Sequence, residues 1–184
     1  MSRRARGILV IVVVLLVAAA AALVLTARPR LEADRDRVDD RWAKLRQPLA
    51  TRYEALVPVL DALRDAGDAD RDVARDLSTA LDRWQGLAKD PDAEADAATE
   101  VEVANRLEGI AARVRATVAA SARLQAVAPL VAALDAFSEA ALDPTLVRRY
   151  NDAAARYQRS RQGFTRSLVA DLLGYDARAS LVVP

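Results

Sequence analysis

The feature that most constrains this chain is an uncharged apolar run near its N-terminus. Residues 7–26 read GILVIVVVLLVAAAAALVLT and contain no charged side chain. An α-helix rises about 1.5 Å per residue, so this run would cover about 30 Å, which matches the hydrocarbon thickness of a bilayer. We therefore expect a basic tail at residues 1–6, a transmembrane helix at residues 7–27 and a folded domain behind it.

A cleaved signal peptide is the alternative interpretation of this run. Signal peptides usually have a shorter apolar core that ends at a small-x-small cleavage site. Here small residues at 18–22 are followed by further apolar residues, and the end of the run places Leu25 where a small residue is needed. A retained single-pass anchor in the cell membrane is therefore the favoured interpretation.

Positive charges flank the run on both sides, and such charges tend to remain in the cytoplasm. Three arginines lie in the six residues before it, and five more follow between residues 28 and 41. A short basic tail is easily retained, whereas a long domain can cross the membrane despite its charges. We therefore predict a cytoplasmic tail and an extracytoplasmic domain.

The rest of the chain has the apolar periodicity of amphipathic helices. In the first helix the apolar residues are spaced by three, four or seven positions, which places them on one face of about 35 residues. Pro29 begins this helix afresh or continues the span with a kink, and Pro48 and Pro58 should bend it. The stripe consists of Leu31, Val38, Trp42, Leu45, Leu49, Tyr53, Leu56, Leu60 and Leu63.

Three further helices are predicted. The second covers residues 69–88, and the third begins after a turn with Asp92 as its cap and is bent or broken at Pro129. The last begins with Asp143 as cap and Pro144 in its first turn, and continues to a stop at Gly174. Long amphipathic helices with short turns predict an all-α protein, with an antiparallel four-helix bundle at residues 31–175 and a C-terminal tail at 176–184.

The last helix carries an apolar stripe that includes one charged residue. The stripe consists of Leu146, Tyr150, Ala153, Tyr157, Arg161, Phe164, Leu168 and Leu172. Either the stem of Arg161 packs while its guanidinium reaches solvent or a carboxylate, or the side chain is buried against an acid of another helix and sets the register. Tyr150 and Tyr157 are expected in the core, and a ligand cleft beside them is the alternative.

Charge balance limits the partners. The chain has 27 basic and 26 acidic residues, a net charge of +1, which argues against nucleic-acid binding. Residues 61–108 contain 14 acids and 6 bases, whereas residues 145–180 contain 3 acids and 7 bases. Two helices with complementary faces explain this distribution, and a basic surface for lipid headgroups or an acidic partner is the alternative.

Residue types also limit the chemistry. The chain contains no His and no Cys, which excludes the common catalytic triads, thiolate nucleophiles and zinc sites. Asp68, Asp70 and Asp72 have the spacing of a calcium loop, but the glycine and the distal glutamate are missing. We therefore predict no catalytic, cofactor-binding or metal-binding residue, and no enzyme activity.

The C-terminal helix resembles the signature of the LemA family. Residues 149–153 read RYNDA, a tyrosine follows seven residues after Tyr150, and a phenylalanine follows seven further on. The segments VDDRW at 38–42 and LVPVL at 56–60 are similar to segments of that family's first helix. The motif and core positions that match are Trp42, Arg52, Pro58, Tyr150, Asn151, Tyr157, Phe164, Gly174 and Tyr175.

The sequence departs from the family pattern at Val59 and Thr165 and from residue 119 to 144, which indicates a divergent member. The resemblance implies a short tail, one span and a four-helix bundle without established enzyme activity. We accordingly expect a scaffold or interaction module at the cell envelope, with the lipid bilayer, unidentified proteins or a second copy as partners. A membrane-tethered sensor that binds a small ligand near Tyr150, Tyr157 and Arg161 is the alternative.

Overall fold

The computed structural model describes residues 3–67, 71–89 and 97–184, and the side chains of all of these except residues 3–17, 19–27, 71, 88–89 and 164–166. These residues form helices and contain no strand, which confirms the all-α fold class. The helices are α1 (Arg3–Glu54), α2 (Leu56–Asp65), α3 (Arg71–Lys89), α4 (Ala97–Ala120), α5 (Ala122–Gln125), α6 (Ala128–Glu139), α7 (Pro144–Arg161) and α8 (Phe164–Leu172).

Helix α1 is continuous through Pro29 and Pro48. Of the two alternatives at Pro29, continuation of the preceding helix is the one observed. Where side chains are described, no helix is both long and apolar enough to cross a bilayer. The apolar run at residues 7–26 lies outside those side chains, apart from Ala18.

The predicted 35-residue first helix is divided in two by Ala55. Pro58 has no N–H to donate to residue 54, and its ring crowds that carbonyl, so α1 ends at Glu54. Ala55 keeps helical torsion angles (φ −69°, ψ −12°), and α2 begins at the next residue. Gly67, with φ of 98°, follows the end of α2. The second predicted helix corresponds to α3, whereas Asp92, the predicted cap of the third, lies outside the described residues.

The prediction of one long third helix is wrong after Ala120. Ser121 is extended (φ −122°, ψ 106°), and its side chain accepts a hydrogen bond from the N–H of Leu124, which starts the short helix α5. Pro129 lies in the first turn of α6, where its missing N–H removes no intrahelical hydrogen bond. Of the two alternatives predicted at Pro129, a bend or a break, the helix is broken, and the proline lies in the first turn of the helix that follows.

The predicted last helix begins as expected, because Asp143 Oδ1 accepts the N–H of Thr145 at 2.7 Å. It is wrong as a single helix, since Gly163 (φ 107°) separates α7 from α8. The interruption changes the helical phase, so Leu168 and Leu172, which were expected in the core, are 54% and 76% exposed.

Helix α8 ends as the sequence predicts. Gly174 has φ of 66°, and the N–H of Tyr175 reaches the carbonyl of Ala170 at 2.9 Å. The N–H of Gly174 lies 3.3 Å from the carbonyl of Asp171. This hydrogen-bond pattern is a Schellman ending, which requires a left-handed residue that glycine adopts without steric cost.

Helix α1 is the central element of the packing. It contacts α7 and α8, while α2 packs on α3 and α6, and α3 packs on α4. The rings of Trp42 and Tyr150 have centroids 5.2 Å apart, and the hydroxyl of Ser160 donates to Asp34. Because residue numbers decrease along α1 as they increase along α7, these two helices are antiparallel.

A buried ion pair joins α1 to α4. Arg52 Nε donates to Glu108 Oε1 at 2.7 Å and its Nη2 donates to Oε2 at 3.0 Å, a bidentate arrangement. The remaining Nη1 donates to the carbonyls of Phe137 at 3.1 Å and Ala140 at 3.2 Å, at the end of α6. The guanidinium also lies 4.0 Å from the ring centroid of Phe137. One side chain of α1 thus binds both α4 and α6.

Three further hydrogen bonds set the register of α1 and α4. Glu100 is buried and accepts the indole N–H of Trp42, and it also accepts Arg46 Nε at 2.8 Å. The hydroxyl of Tyr53 donates to the carbonyl of Ala104 at 3.2 Å. Residue numbers rise together along both helices, so α1 and α4 are parallel.

Removal of one partner from the buried pair should be far more costly than removal of both. We expect Arg52→Met to lower the free energy of unfolding by about 3–5 kcal/mol, because Glu108 would remain buried and unpaired. Combining Arg52→Met with Glu108→Leu should recover much of this loss, since no uncompensated charge remains. Urea denaturation of the full chain in detergent, followed by circular dichroism, measures both.

The matched control is the exposed α3–α4 pair between Arg113 and Asp76, whose Nη2–Oδ2 distance is 2.8 Å. Substituting Arg113→Ala should change the free energy of unfolding by at most about 1 kcal/mol. Equal losses from Arg113→Ala and Arg52→Met would contradict the assigned importance of the buried pair.

Candidate functional site

The residues expected to form a C-terminal tail pack against the helices. The C-terminal segment (residues 176–184) is not helical, yet Leu181 is buried in the main hydrophobic core. Arg178 is also buried, and its Nε lies 3.2 Å from Asp39 Oδ1 on α1. The segment therefore forms part of the folded domain and brings α1, α4 and α7 together.

Two asparagine side chains bind the backbone of this segment. Asn151 of α7 donates to the carbonyl of Leu181 at 2.9 Å and accepts its N–H at 2.8 Å. Asn105 of α4 donates to the carbonyl of Ser180 at 2.9 Å and accepts the N–H of Val182 at 2.8 Å. The two amides satisfy consecutive backbone groups that have no strand partner, and they hold Leu181 in the core.

Helix α7 adds two more contacts to the segment. The hydroxyl of Tyr150 donates to the carbonyl of Ala179 at 2.8 Å, and Gln158 donates to the carbonyl of Arg178 at 3.1 Å. Burial raises the pKa of the Tyr150 hydroxyl. The hydroxyl therefore stays neutral, and can donate, at pH values above the ordinary pKa of tyrosine. One face of α7 thus follows the C-terminal segment, and Tyr150 and Asn151 of the predicted motif belong to that face.

Two and three turns beyond Tyr150 on α7, two buried polar atoms have no hydrogen-bond partner among the described residues: the Tyr157 hydroxyl and Arg161 Nε. Burial raises the pKa of Tyr157, although the nearby Arg161, Arg178 and Arg35 oppose that shift. A neutral hydroxyl and a guanidinium N–H, four residues apart on one helix face, can together donate to an oxyanion, a carbonyl or a water molecule.

The position of Arg161 combines features of the two predictions, a guanidinium at the surface and a side chain buried against an acid of another helix. Its side chain is 20% exposed, and its Nη2 lies 3.5 Å from Asp171 Oδ1 of α8, which is mostly exposed. The guanidinium thus meets a carboxylate of another helix at the surface, while Nε points inward.

The end of the domain nearest the apolar run is fixed by Tyr175. Its hydroxyl donates to Glu32 Oε1 at 2.8 Å, and the same oxygen accepts Arg28 Nε at 2.7 Å. Both hydrogen bonds hold the pKa of Glu32 below its ordinary value, and the one from Arg28 has the larger effect. Tyr175 also packs with Leu31 and Ala170, which fixes α8 against α1.

The other predicted motif residues with described side chains occupy two different environments. Trp42 and Arg52 lie in the core contacts described above, and Pro58 is exposed in the first turn of α2. The side chain of Phe164 lies outside the described residues, as do Asp68 and Asp70 of the calcium-like run. In the ranges where side chains are described, no group of acidic residues could hold a metal ion.

An open groove lies between α2 and α3, lined by residues that include Leu63, Arg64, Arg75 and Ser78. Arg64 donates to the hydroxyl of Ser78 at 3.0 Å, and Arg75 pairs with Asp72 on its own helix. These arginines are engaged by neighbouring side chains, so the groove is a weaker candidate than the junction of α1, α7 and the C-terminal segment.

Sequence reasoning identified Tyr150, Asn151, Tyr157 and Arg161 but not what they contact. It missed Glu108 as the partner of Arg52, and it missed the binding of the C-terminal segment. A signal for the first was present, because Glu100 and Glu108 fall on the same face as Ala104 and are eight residues apart. Acids on an apolar stripe indicate a buried partner.

Loss of the Asn151 amide should weaken the domain. Asn151→Ala removes two hydrogen bonds and leaves the Leu181 backbone groups unpaired, so we expect a loss of about 1–3 kcal/mol in the free energy of unfolding. Leu181→Ala should cost about 2–5 kcal/mol through the cavity that it leaves. Urea denaturation of the full chain in detergent gives both values.

The control substitution is Val182→Ala, at a neighbouring residue that is 61% exposed. It should stay within about 0.5 kcal/mol of the unsubstituted protein. If Asn151→Ala and Leu181→Ala were as mild as Val182→Ala, the C-terminal segment would contribute nothing to stability.

No protein-family model matches the chain, and neither a curated protein nor a solved structure matches it. The resemblance to the LemA family stays a prediction.

Proposed function

We propose that this protein is a membrane-anchored, non-enzymatic helical module of LemA type that holds partner proteins at the cell envelope. In this proposal residues 7–27 cross the cell membrane once, and an extracytoplasmic four-helix bundle follows. The partners are other envelope proteins or further copies of the same chain.

The observation that carries the proposal is the continuity of α1. One helix of 52 residues contains the apolar run and also the residues that organise the core, Trp42, Arg52 and Tyr53. At about 1.5 Å per residue, such a helix extends for roughly 78 Å. A domain built around the same helix as its anchor would be held rigidly relative to the bilayer, as a scaffold requires.

The packing directions support a bundle of four rods. In this proposal α1 and α2 form one rod, α3 and α4 form two more, and α6 with α7 forms the fourth. Arg123 after α4 donates to the carbonyl of Ala66 at the end of α2, while Phe137 meets Arg52, so α6 is antiparallel to α2. Tyr53 meets Trp84 and Arg64 meets Ser78, so α3 is antiparallel to the rod of α1 and α2. With α7 antiparallel to α1, these directions support the up-down-up-down arrangement of a simple bundle.

The partners of the buried charged residues favour an interaction module over an enzyme. Arg52 and Glu108 bind each other, Glu100 binds Trp42 and Arg46, and Arg178 binds Asp39. Catalytic acids and bases usually face a pocket, and that environment shifts their pKa values. These charged residues instead connect one element to another, which supports a structural role.

The anchor is tested by interrupting the apolar run. Val13→Arg with Leu15→Arg should move the protein from the carbonate-resistant membrane fraction to the soluble fraction, because an arginine at the centre of a span costs about 2.5–3.5 kcal/mol on insertion scales. Val57→Arg on α2, at a position 38% exposed, is the matched control and should leave the protein in the membrane.

The interaction role is tested on the same anchored protein. A photo-crosslinking residue at exposed positions of α3 or α4, such as Arg83 or Glu102, should give discrete adducts in intact membranes. If no exposed face gave adducts, either to other proteins or to a second copy, the scaffold proposal would be contradicted. The anchor proposal would not be affected by that result.

One observation favours a second candidate, a sensor that binds a small anion. The unpartnered Tyr157 hydroxyl and Arg161 Nε could donate to a carboxylate or phosphate that enters between α1 and α7. A ligand at 100 times its dissociation constant stabilises the folded state by about 2.7 kcal/mol. Acetate, succinate and phosphate are suitable first probes in thermal unfolding of the detergent-solubilised protein.

The ligand hypothesis predicts a rise in the unfolding midpoint that Tyr157→Phe abolishes. Val182→Ala, which changes an exposed side chain away from these donors, should retain the rise. A midpoint that no carboxylate or phosphate raises would contradict this candidate.

A further inference from the structure

Helix α8 exposes two large apolar side chains side by side. Leu168 and Leu172 are 54% and 76% exposed, and residues four apart lie on the same edge of a helix. The opposite edge carries Val169 and Ala170, which are buried. The helix is therefore apolar on both edges, but only one of them is covered by the domain.

The covered edge locates α8 along α1. Val169 and Ala170 pack with Leu31, and Tyr175, just past the end of α8, donates to Glu32. Leu31 is five residues beyond the end of the apolar run, and α1 is helical throughout this stretch. At about 1.5 Å per residue, α8 contacts α1 roughly 7.5 Å past the run.

Basic residues of α1 lie between the run and this contact. Arg28 and Arg30 are exposed, one residue to either side of Pro29, and lie close to the level where α8 packs. Arg28 also forms the ion pair with Glu32 that joins Tyr175. Helices that lie in the headgroup region of a bilayer typically combine an apolar edge with nearby basic residues such as arginine.

We propose that the exposed edge of α8, formed by Leu168 and Leu172, rests in the lipid surface of the membrane that α1 crosses. The occupant is the boundary between headgroups and acyl chains, because the edge is apolar, close to the end of the run and flanked by arginines. The proposal rests on the anchor proposed above. It gives the domain a second membrane contact, which fixes its rotation about α1.

The absence of cysteine from the chain permits a direct test. Single substitutions Leu172→Cys, Val182→Cys, Val57→Cys and Val14→Cys can each carry an environment-sensitive fluorophore in the full-length protein, reconstituted in vesicles of phosphatidylcholine and phosphatidylglycerol. Lipids with a nitroxide in the headgroup or on the acyl chain then report which labels lie in the bilayer.

We expect the label at 172 to show blue-shifted emission and several-fold stronger quenching by nitroxide lipids than the labels at 182 and 57. Val182 and Val57 are matched controls, because both are exposed and lie farther along the domain. Position 57 is 31 residues past the run, or about 46 Å along a helix. The label at 14 should be quenched by acyl-chain nitroxides.

The outcomes separate this proposal from the anchor on which it rests. Quenching at 14 without quenching at 172 would leave the anchor in place and overturn the lipid contact of α8. A blue shift at 172 without lipid quenching, and reversed by dilution of the protein in the vesicles, would assign the edge to a second copy and also overturn it. Loss of quenching at 14 would overturn the anchor and the α8 contact together.

Discussion

The fold depends on one buried guanidinium. Arg52 binds both oxygens of Glu108 and two carbonyls at the end of α6, so a single residue satisfies acceptors on two other helices. A buried charge without such partners would be very costly, and this requirement restricts α4 and α6 to one position beside α1. Apolar packing alone tolerates small shifts between helices, whereas a bidentate pair tolerates few.

The remaining polar contacts extend the same arrangement along α1. Glu100 and Tyr53 fix α4, Asp34 binds Ser160 of α7, and Asp39 and Glu32 bind the C-terminal segment and Tyr175. Helices α4 and α7, Tyr175 and the C-terminal segment are thus positioned against one helix. The site with unpartnered donors, Tyr157 and Arg161, lies where three of these parts meet.

Helix positions could be predicted from the sequence where caps and apolar spacing agree, as at Asp143 and Gly174. The prediction was wrong where a local backbone feature outweighed periodicity: Ser121 and Gly163 each end a helix whose apolar spacing continues past them. The motif residues Tyr150 and Asn151 of α7 were predictable, but their contacts were not, because both bind backbone groups more than twenty residues away. Asn151 shows this most clearly, since its partner Leu181 lies in a segment with no secondary structure of its own.

The binding of the C-terminal segment also has a consequence for synthesis. Contacts such as those of Glu32 with Tyr175 and Asn105 with Val182 join residues separated by 143 and 77 positions. Such distant contacts slow folding, and here the second cannot form until residue 182 has left the ribosome. During that interval the amides of Asn105 and Asn151 would lack the backbone partners that the C-terminal segment supplies. The helices of the domain would therefore assemble first, and the extended segment would be added to them last.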